Sequence, residues 1–169
     1  VWNCQTAPLV SGGAISGVGL GVNVNNFEGY PSAGSNAGNT FATIDGVTVT
    51  GATIAGIRIN DNPLNTNGAT VSAEVKGNTT VTGSPVGILV SGSGATGNVH
   101  NNLLSIHGNA IGIDVDGGAA TVNNNHIYDN GIGVRFTNDG TGNVNTNKFF
   151  DALKNGVDIQ RTATADAGS

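Results

Sequence analysis

The chain has 169 residues and a formal net charge of −5, and charged residues make up 10% of it, against about 25% in an average globular domain. Its scarcity of Glu, Lys, Leu and Arg excludes a coiled coil or helical bundle, and its six Lys and Arg do not supply the basic footprint of a nucleic-acid-binding protein. The sequence has no run of 18 apolar residues, so it predicts no membrane-spanning helix. A single Cys excludes an intrachain disulfide framework.

The first segment, residues 1–16, does not share the pattern of the rest of the chain. It contains Trp2, Cys4 and Pro8, and it lacks the basic and apolar regions of an export signal. We expect it to form an N-terminal cap or arm, with Trp2 and Cys4 as capping or interface residues. Few charges, one Cys and many Asn and Thr are typical of exported proteins. The sequence therefore predicts a mature segment with an extracellular or cell-surface location.

The next segment, residues 17–160, repeats two short motifs. An Asn-x-apolar motif has Asn at positions spaced by 24, 23 and 22 residues, namely Asn78, Asn102, Asn125 and Asn147. A second motif, Gly-Ile-x-Val or a close variant, begins at Gly56, Gly87, Gly112, Gly133 and Gly156. Two independent markers with a shared period of about 22 residues predict a solenoid repeat.

Each repeat contains short runs of alternating apolar and variable residues, which is the period of a β-strand. Asn-Gly and Asp-Gly pairs predict tight turns between the runs, and residues 28–39 and 62–67 are predicted as loops. Stacking the repeats places apolar side chains in two inward columns, Ile57–Ile88–Ile113–Val134–Val157 and Ile59–Val90–Val115–Phe136–Ile159. The four repeated Asn are expected to stack at the turns as a hydrogen-bonded structural ladder.

The run Gly-Ile-x-Val followed by Val-x-x-Asn-x-Ile, as in residues 122–127, resembles the right-handed parallel β-helix repeats of the pectate-lyase-like superfamily. The resemblance covers residues 56–160 most clearly, and residues 17–27 and 47–60 look like further coils. It implies an all-β, right-handed parallel β-helix of about six to seven coils. That fold hosts lyases, hydrolases, epimerases, adhesins and structural modules, so function depends on the sites.

One outward column of the predicted strands carries alternating charge. Its members are Arg58, Leu89, Asp114, Arg135 and Asp158. These charges form either a surface salt-bridge ladder or, in an enzyme, a catalytic group of Asp114, Asp116, Arg135 and Asp158 that would cleave a glycosidic bond. In lyases and hydrolases of the superfamily, the site clusters several Asp or Glu with Lys or Arg, or with a set of calcium ligands. No Lys joins this column, which is a departure from that pattern. The Asp-Gly pairs are predicted as turns and the three His lack metal spacing, so we expect no metal and no cofactor.

The last segment, residues 161–169, is a polar tail with no side chain large enough to cover a coil that contains Phe149, Phe150 and Ile159. These three residues are therefore predicted as capping or interface residues. Three alternatives stay open: the solenoid continues in a longer chain, its end docks on another molecule, or residues 149–154 fold over the end as a short helix. We expect a non-enzymatic extracellular structural or surface module that self-assembles end to end, with itself or a surface glycan as partner. The alternatives are a polysaccharide-active lyase or hydrolase and a glycan-binding adhesin module.

Overall fold

A computed structural model describes residues 8–26, 39–63, 68–77, 79–103, 105–150, 155–159 and 164–166. Within these residues lie 19 strands and no helix. The chain contributes strands to three parallel sheets in strict rotation, so it winds as a right-handed parallel β-helix of about six coils. The predicted fold class is confirmed.

Three sheets run the length of the solenoid, and every strand pairs in parallel with strands one coil away. Sheet I contains β1 (Leu9–Ser11), β4 (Thr40–Asp45), β7 (Val71–Lys76), β10 (Ala95–His100), β13 (Ala119–Asn123), β16 (Thr141–Asn145) and β19 (Thr164–Asp166). Sheet II contains β2 (Ala14–Ser16), β5 (Thr48–Thr50), β8 (Thr80–Thr82), β11 (Ile106–His107), β14 (His126–Tyr128) and β17 (Lys148–Phe150). Sheet III contains β3 (Leu20–Asn25), β6 (Ala55–Asn60), β9 (Val86–Ser91), β12 (Ile111–Asp116), β15 (Ile132–Thr137) and β18 (Asn155–Ile159).

The core is a stack of apolar side chains from all three sheets. In sheet III, Ile57 pairs with Ile88 and Ile88 pairs with Ile113, and all three side chains are fully buried. Val22 extends this column in one direction, and Val134 and Val157 extend it in the other. Both predicted inward columns lie in register. Because one coil alone would expose these residues, each coil is stabilised by its neighbours.

The repeated Gly of sheet III is required by a close approach between coils. A Cβ added at Gly112 would lie 2.6 Å from the carbonyl oxygen of Gly133 and 3.1 Å from Nδ2 of Asn130. The carbonyl of the equivalent Gly in the next coil lies similarly close to Gly56. A side chain there would separate the coils, so the sequence motif follows from backbone packing.

Paired strands extend beyond the predicted boundaries of the β-helix. Strands β1 and β2 lie within residues 1–16 and pair with β4 and β5, while β19 lies within residues 161–169 and pairs with β16. Residues 148–150 form β17, so the alternative of a short helix over residues 149–154 is wrong at Phe149 and Phe150. Trp2, Cys4 and Asn78 lie outside the described residues, and of Phe150 and Ile159 only the backbone is described.

Candidate functional site

The charged column on the outer face of sheet III contains a bidentate ion pair. Arg135 donates from Nε to Oδ1 of Asp114 at 3.0 Å and from its terminal nitrogen to Oδ2 at 2.6 Å. The Asp114 side chain is 6% exposed and that of Arg135 is 28% exposed. Both carboxylate oxygens are therefore bound by one guanidinium, a charge-assisted arrangement that links β12 to β15.

Asp116 and Asp158 complete the predicted group in different ways. Asp116 ends β12, two residues from Asp114 on the same strand, and its Oδ1 accepts hydrogen bonds from Thr137 Oγ1 at 3.3 Å and Asn138 Nδ2 at 2.6 Å. Asp158 lies beside Arg135 in the register of β18, and its side chain lies outside the described residues. The fold brings Asp114, Asp116 and Arg135 together and aligns Asp158 with them.

This arrangement favours structure over acid–base chemistry. A general acid must carry a proton that it can release to the substrate, and a general base must have a free lone pair. Both oxygens of Asp114 accept from Arg135 and only 6% of the side chain is exposed, so Asp114 has little access to a substrate while the ion pair is intact. Asp116 is the more accessible carboxylate, but its partners Thr137 and Asn138 hold it at the turn that follows sheet III.

Three of the four predicted Asn form a ladder between sheets I and II, in which Asn102 and Asn125 are fully buried and Asn147 is half-buried. Asn102 donates from its backbone N and its Nδ2 to Oδ1 of Asn125, at 3.1 and 2.9 Å. Asn125 makes the same two bonds to Asn147, at 2.9 and 3.0 Å. One coil earlier, the backbone N of Thr79 donates to Asn102 Oδ1 at 3.0 Å. We call Asn102, Asn125 and Asn147 the first Asn ladder.

A second Asn ladder, which the repeat motifs did not predict, lies between sheets II and III. Asn109 donates from its backbone N and its Nδ2 to Oδ1 of Asn130, at 3.0 and 3.1 Å, and both residues are buried. The backbone N of Ser84, which lies in the preceding coil, donates to Asn109 Oδ1. A sequence signal was present, because each Asn stands three residues before the repeated Gly of sheet III.

The two ladders share a local conformation. The residue before each ladder Asn at positions 102, 125, 109 and 130 has positive φ: 56° at Asn101, 50° at Asn124, 65° at Gly108 and 52° at Asp129. Gly, Asn and Asp adopt this left-handed conformation at low cost, which explains their presence at the turns. The turn then directs the next side chain inward between two coils.

An ion cluster on the outer face of sheet I joins residues far apart in sequence. Glu74 accepts hydrogen bonds from Lys76 Nζ at 2.7 Å and from His100 Nε2 at 2.8 Å. The hydrogen bond from Lys76, followed by that from His100, lowers the pKa of Glu74 below its usual value. The pKa of Lys76 is raised, chiefly by the hydrogen bond to Glu74. The register of β7 and β10 creates this cluster.

The third corner of the coil, after sheet III, is closed by side chains rather than by a repeated ladder. Asn26 is fully buried and donates from Nδ2 to Asp61 Oδ1 at 2.7 Å and to the carbonyl of Ala69 at 2.9 Å. Asp61 Oδ2 accepts from the backbone N of Gly94 at 2.9 Å. This corner therefore connects three successive coils through one Asn and one Asp.

Two aromatic rings stack on the outer face of sheet II. The rings of His107 and Tyr128 lie 4.6 Å apart between centroids with an interplanar angle of 14°. His107 Nδ1 also lies 3.4 Å from Thr82 Oγ1 in the preceding coil. The stacked rings continue the coil-to-coil contacts at the surface.

Among the residues that the structure describes, no group of three or more His, Cys, Asp and Glu is placed to hold a metal ion. No helix in the described part of the chain is long and apolar enough to cross a membrane. Comparison of the chain with protein-family models, curated proteins and solved structures finds no match. The interpretation therefore depends on the fold and on the contacts described above.

Proposed function

We propose that the chain is a non-enzymatic structural module of an extracellular or cell-surface protein, built on a pectate-lyase-like β-helix. The pairing of Asp114 carries this proposal. Asp114, a member of the predicted catalytic group, is nearly buried and holds two coils together through Arg135. The Asn ladders also support a structural role, because the Asn side-chain amides at the turns form hydrogen bonds between adjacent coils.

An assay on a panel of acidic and neutral polysaccharides tests the non-enzymatic part of the proposal. We expect no chain cleavage by the wild-type protein. The Asp114→Asn and Asp116→Asn variants test the predicted catalytic group, and Asp139→Asn at a neighbouring turn is the matched control. Cleavage that both test variants lose and the control keeps would identify a polysaccharide-active enzyme. Cleavage that all variants keep would contradict the proposal and also exclude these residues as the site.

The partner that we propose is a second copy of the chain, stacked head to tail. Each coil interface in the described part uses the same parallel pairing in three sheets. The edge that one coil presents to its neighbour therefore resembles the edge presented by every other coil. A second copy that adds coils in the same register would extend all three sheets, and repeated head-to-tail contacts produce filaments.

Electron microscopy at rising protein concentration, with mass measured in parallel, tests this association. We expect fibres about as wide as one solenoid. Particles near 16.7 kDa at every concentration would contradict self-assembly.

Charge variants test the register of the stacking. Asn23 lies in the same outward column as Asp158, at the other end of the described sheet III. If β18 of one copy pairs with β3 of the next, Asn23→Asp places two like charges side by side, whereas Asn23→Lys places opposite charges there. We expect fewer fibres from the Asp variant than from the Lys variant. Equal assembly would contradict head-to-tail stacking in this register.

A surface glycan is the second candidate partner, favoured by the outer face of sheet I. Five small polar side chains are exposed there in two columns, namely Thr96, Thr141, Asn98, Thr121 and Asn143. Hydroxyl and amide groups in a flat array complement the hydroxyls of a neutral glycan. A glycan array tests this binding, and hits that Thr121→Glu weakens would support it. An array without hits would contradict it.

A further inference from the structure

Asn130 and Gly131 form a dipeptide with known chemical reactivity. In an open chain, the backbone N of the Gly attacks Cγ of the Asn and forms a new C–N bond. The side-chain nitrogen leaves as ammonia and carries away the proton lost by the Gly nitrogen, which leaves a succinimide. Water then opens that ring to Asp or isoaspartate. The absence of a Cβ on the second residue makes Asn-Gly well suited to this reaction.

The second Asn ladder holds every group that the reaction needs. The nucleophile, the backbone N of Gly131, donates a hydrogen bond to the carbonyl of Asn109 at 3.0 Å. Asn130 Nδ2 donates to the carbonyl of Ile106 at 3.0 Å, and Oδ1 accepts two hydrogen bonds from Asn109. Residue Asn130 is 1% exposed, so water has little access to it.

We infer that Asn130 is a latent deamidation site whose reaction is gated by the second Asn ladder. Ring closure requires the Gly131 N–H to leave its carbonyl partner and the Asn130 side chain to rotate away from Asn109 and Ile106. Both changes require the coil containing β14 to separate from the coil containing β11. The site is therefore closed in the intact solenoid and opens when these coils part.

The products do not fit back into the closed coil. Asp at this position places a carboxylate oxygen against the Ile106 carbonyl, where the amide Nδ2 donated before. Isoaspartate adds a main-chain atom between β14 and β15, which disturbs the register of the apolar columns. Deamidation at Asn130 is therefore an irreversible change that marks molecules in which these coils have opened. This inference is independent of the proposed structural role.

Peptide mapping by mass spectrometry tests the gate directly. The wild-type protein is incubated at mildly alkaline pH, once folded and once in denaturant, and conversion is followed at Asn67, Asn130 and Asn155. In denaturant we expect similar rates at the three sites, because each precedes a Gly. In the folded protein we expect Asn130 to react at least about 30-fold more slowly than in denaturant, because several buried hydrogen bonds must break first. Equal rates at Asn130 in the two states would overturn the inference.

A pair of variants distinguishes a local gate from global unfolding. Asn109→Ala removes the side-chain donor to Asn130, and Asn26→Ala is the matched control because it removes a buried Asn that joins other coils. We expect Asn109→Ala to raise the folded-state rate at Asn130 at least about fivefold, and Asn26→Ala to raise it far less. Equal acceleration would overturn gating by the second ladder.

A measurement on the wild-type protein covers the case in which Asn109→Ala does not fold. Hydrogen exchange of the Gly131 amide reports the opening of the bond to Asn109. Across a series of low denaturant concentrations, this exchange rate and the deamidation rate should rise in parallel. Deamidation that stays constant while the amide opens would overturn the inference.

Discussion

The buried Asn125 makes several hydrogen bonds that an apolar side chain could not replace. Asn125 donates from Nδ2 to two backbone carbonyls, those of Val99 and Asn123, and it also bonds Asn147. Its Oδ1 accepts from the backbone N and Nδ2 of Asn102. A residue placed in this way satisfies backbone groups of adjacent coils that the turn leaves unpaired.

Replacement of Asn125 by Ala is expected to lower the free energy of unfolding by about 2–4 kcal/mol, because buried donors and acceptors in adjacent coils lose their partners. Chemical denaturation followed by circular dichroism measures this loss. Asn143→Ala on the exposed face of sheet I is the control and should change stability by less than about 0.5 kcal/mol. Equal losses for the two variants would show that the ladder does not stabilise the turn.

The Asp114–Arg135 ion pair is also expected to stabilise the fold. A double-mutant cycle with Asp114→Asn and Arg135→Gln isolates the energy that couples the two side chains. We expect a favourable coupling of about 1–3 kcal/mol, because the pair is bidentate and the carboxylate is nearly buried. A coupling near zero in denaturation experiments would remove the structural role assigned to Asp114.

At the scale of the element, strand β12 shows how the repeated Gly controls the spacing of coils. Gly112→Ala would push Cβ against the Gly133 carbonyl and Asn130, so we expect a loss of about 2–3 kcal/mol in the free energy of unfolding. At Gly19, a Cβ would meet only Ile54 at 3.6 Å, so Gly19→Ala is the control and should be nearly neutral. Thermal or chemical denaturation of both variants compares the two positions. A neutral Gly112→Ala would contradict the steric explanation of the motif.

Strands β7 and β10 make the stability of sheet I depend on pH. Glu74 has a pKa below its usual value of 4.5 in the folded chain, so its contribution to stability is present above that pH and is lost as the pH falls through the folded value. Lys76 has a raised pKa, so its contribution is present below 10.5 and is lost as the pH rises through the folded value. Glu74→Gln should therefore flatten the fall in stability at acidic pH. Identical acid profiles for the wild type and the variant would contradict a role for the cluster.

The sequence predicted sheet III well and sheet I poorly, for a physical reason. In sheet III the inward residues and the required Gly recur together, so Ile57, Ile88 and Ile113 could be aligned from spacing alone. In sheet I the register depends on loops of different length. The contact between Glu74 and His100, 26 residues apart, therefore has no local signal. The predicted column of Asp114 and Arg135 was placed correctly because it belongs to sheet III.

At the scale of the whole molecule, the solenoid is a series of similar coils whose stability comes from contacts with the next coil. Such a molecule should tolerate the loss of one complete period if the two cut ends occupy equivalent positions. Ile111 pairs with Ile132, so removal of residues 112–132 joins β12 to β15 at matching points. The deletion also brings Asn102 next to Asn147 in the first Asn ladder.

We expect the protein without residues 112–132 to fold as a shorter β-helix. Its length along the axis should fall by about 4.8 Å, the spacing of adjacent strands, and its free energy of unfolding should fall because one coil interface is lost. Small-angle X-ray scattering measures the length, and denaturation followed by circular dichroism measures the stability.

Removal of residues 112–122 is the control. It takes away about half a coil, so it places sheet II residues where sheet III residues belong, and we expect it not to fold. If both deletions fold equally well, coil register does not determine the structure. If neither folds, the coils are not equivalent units, and the mechanism of stacking proposed for a second copy would lose its basis.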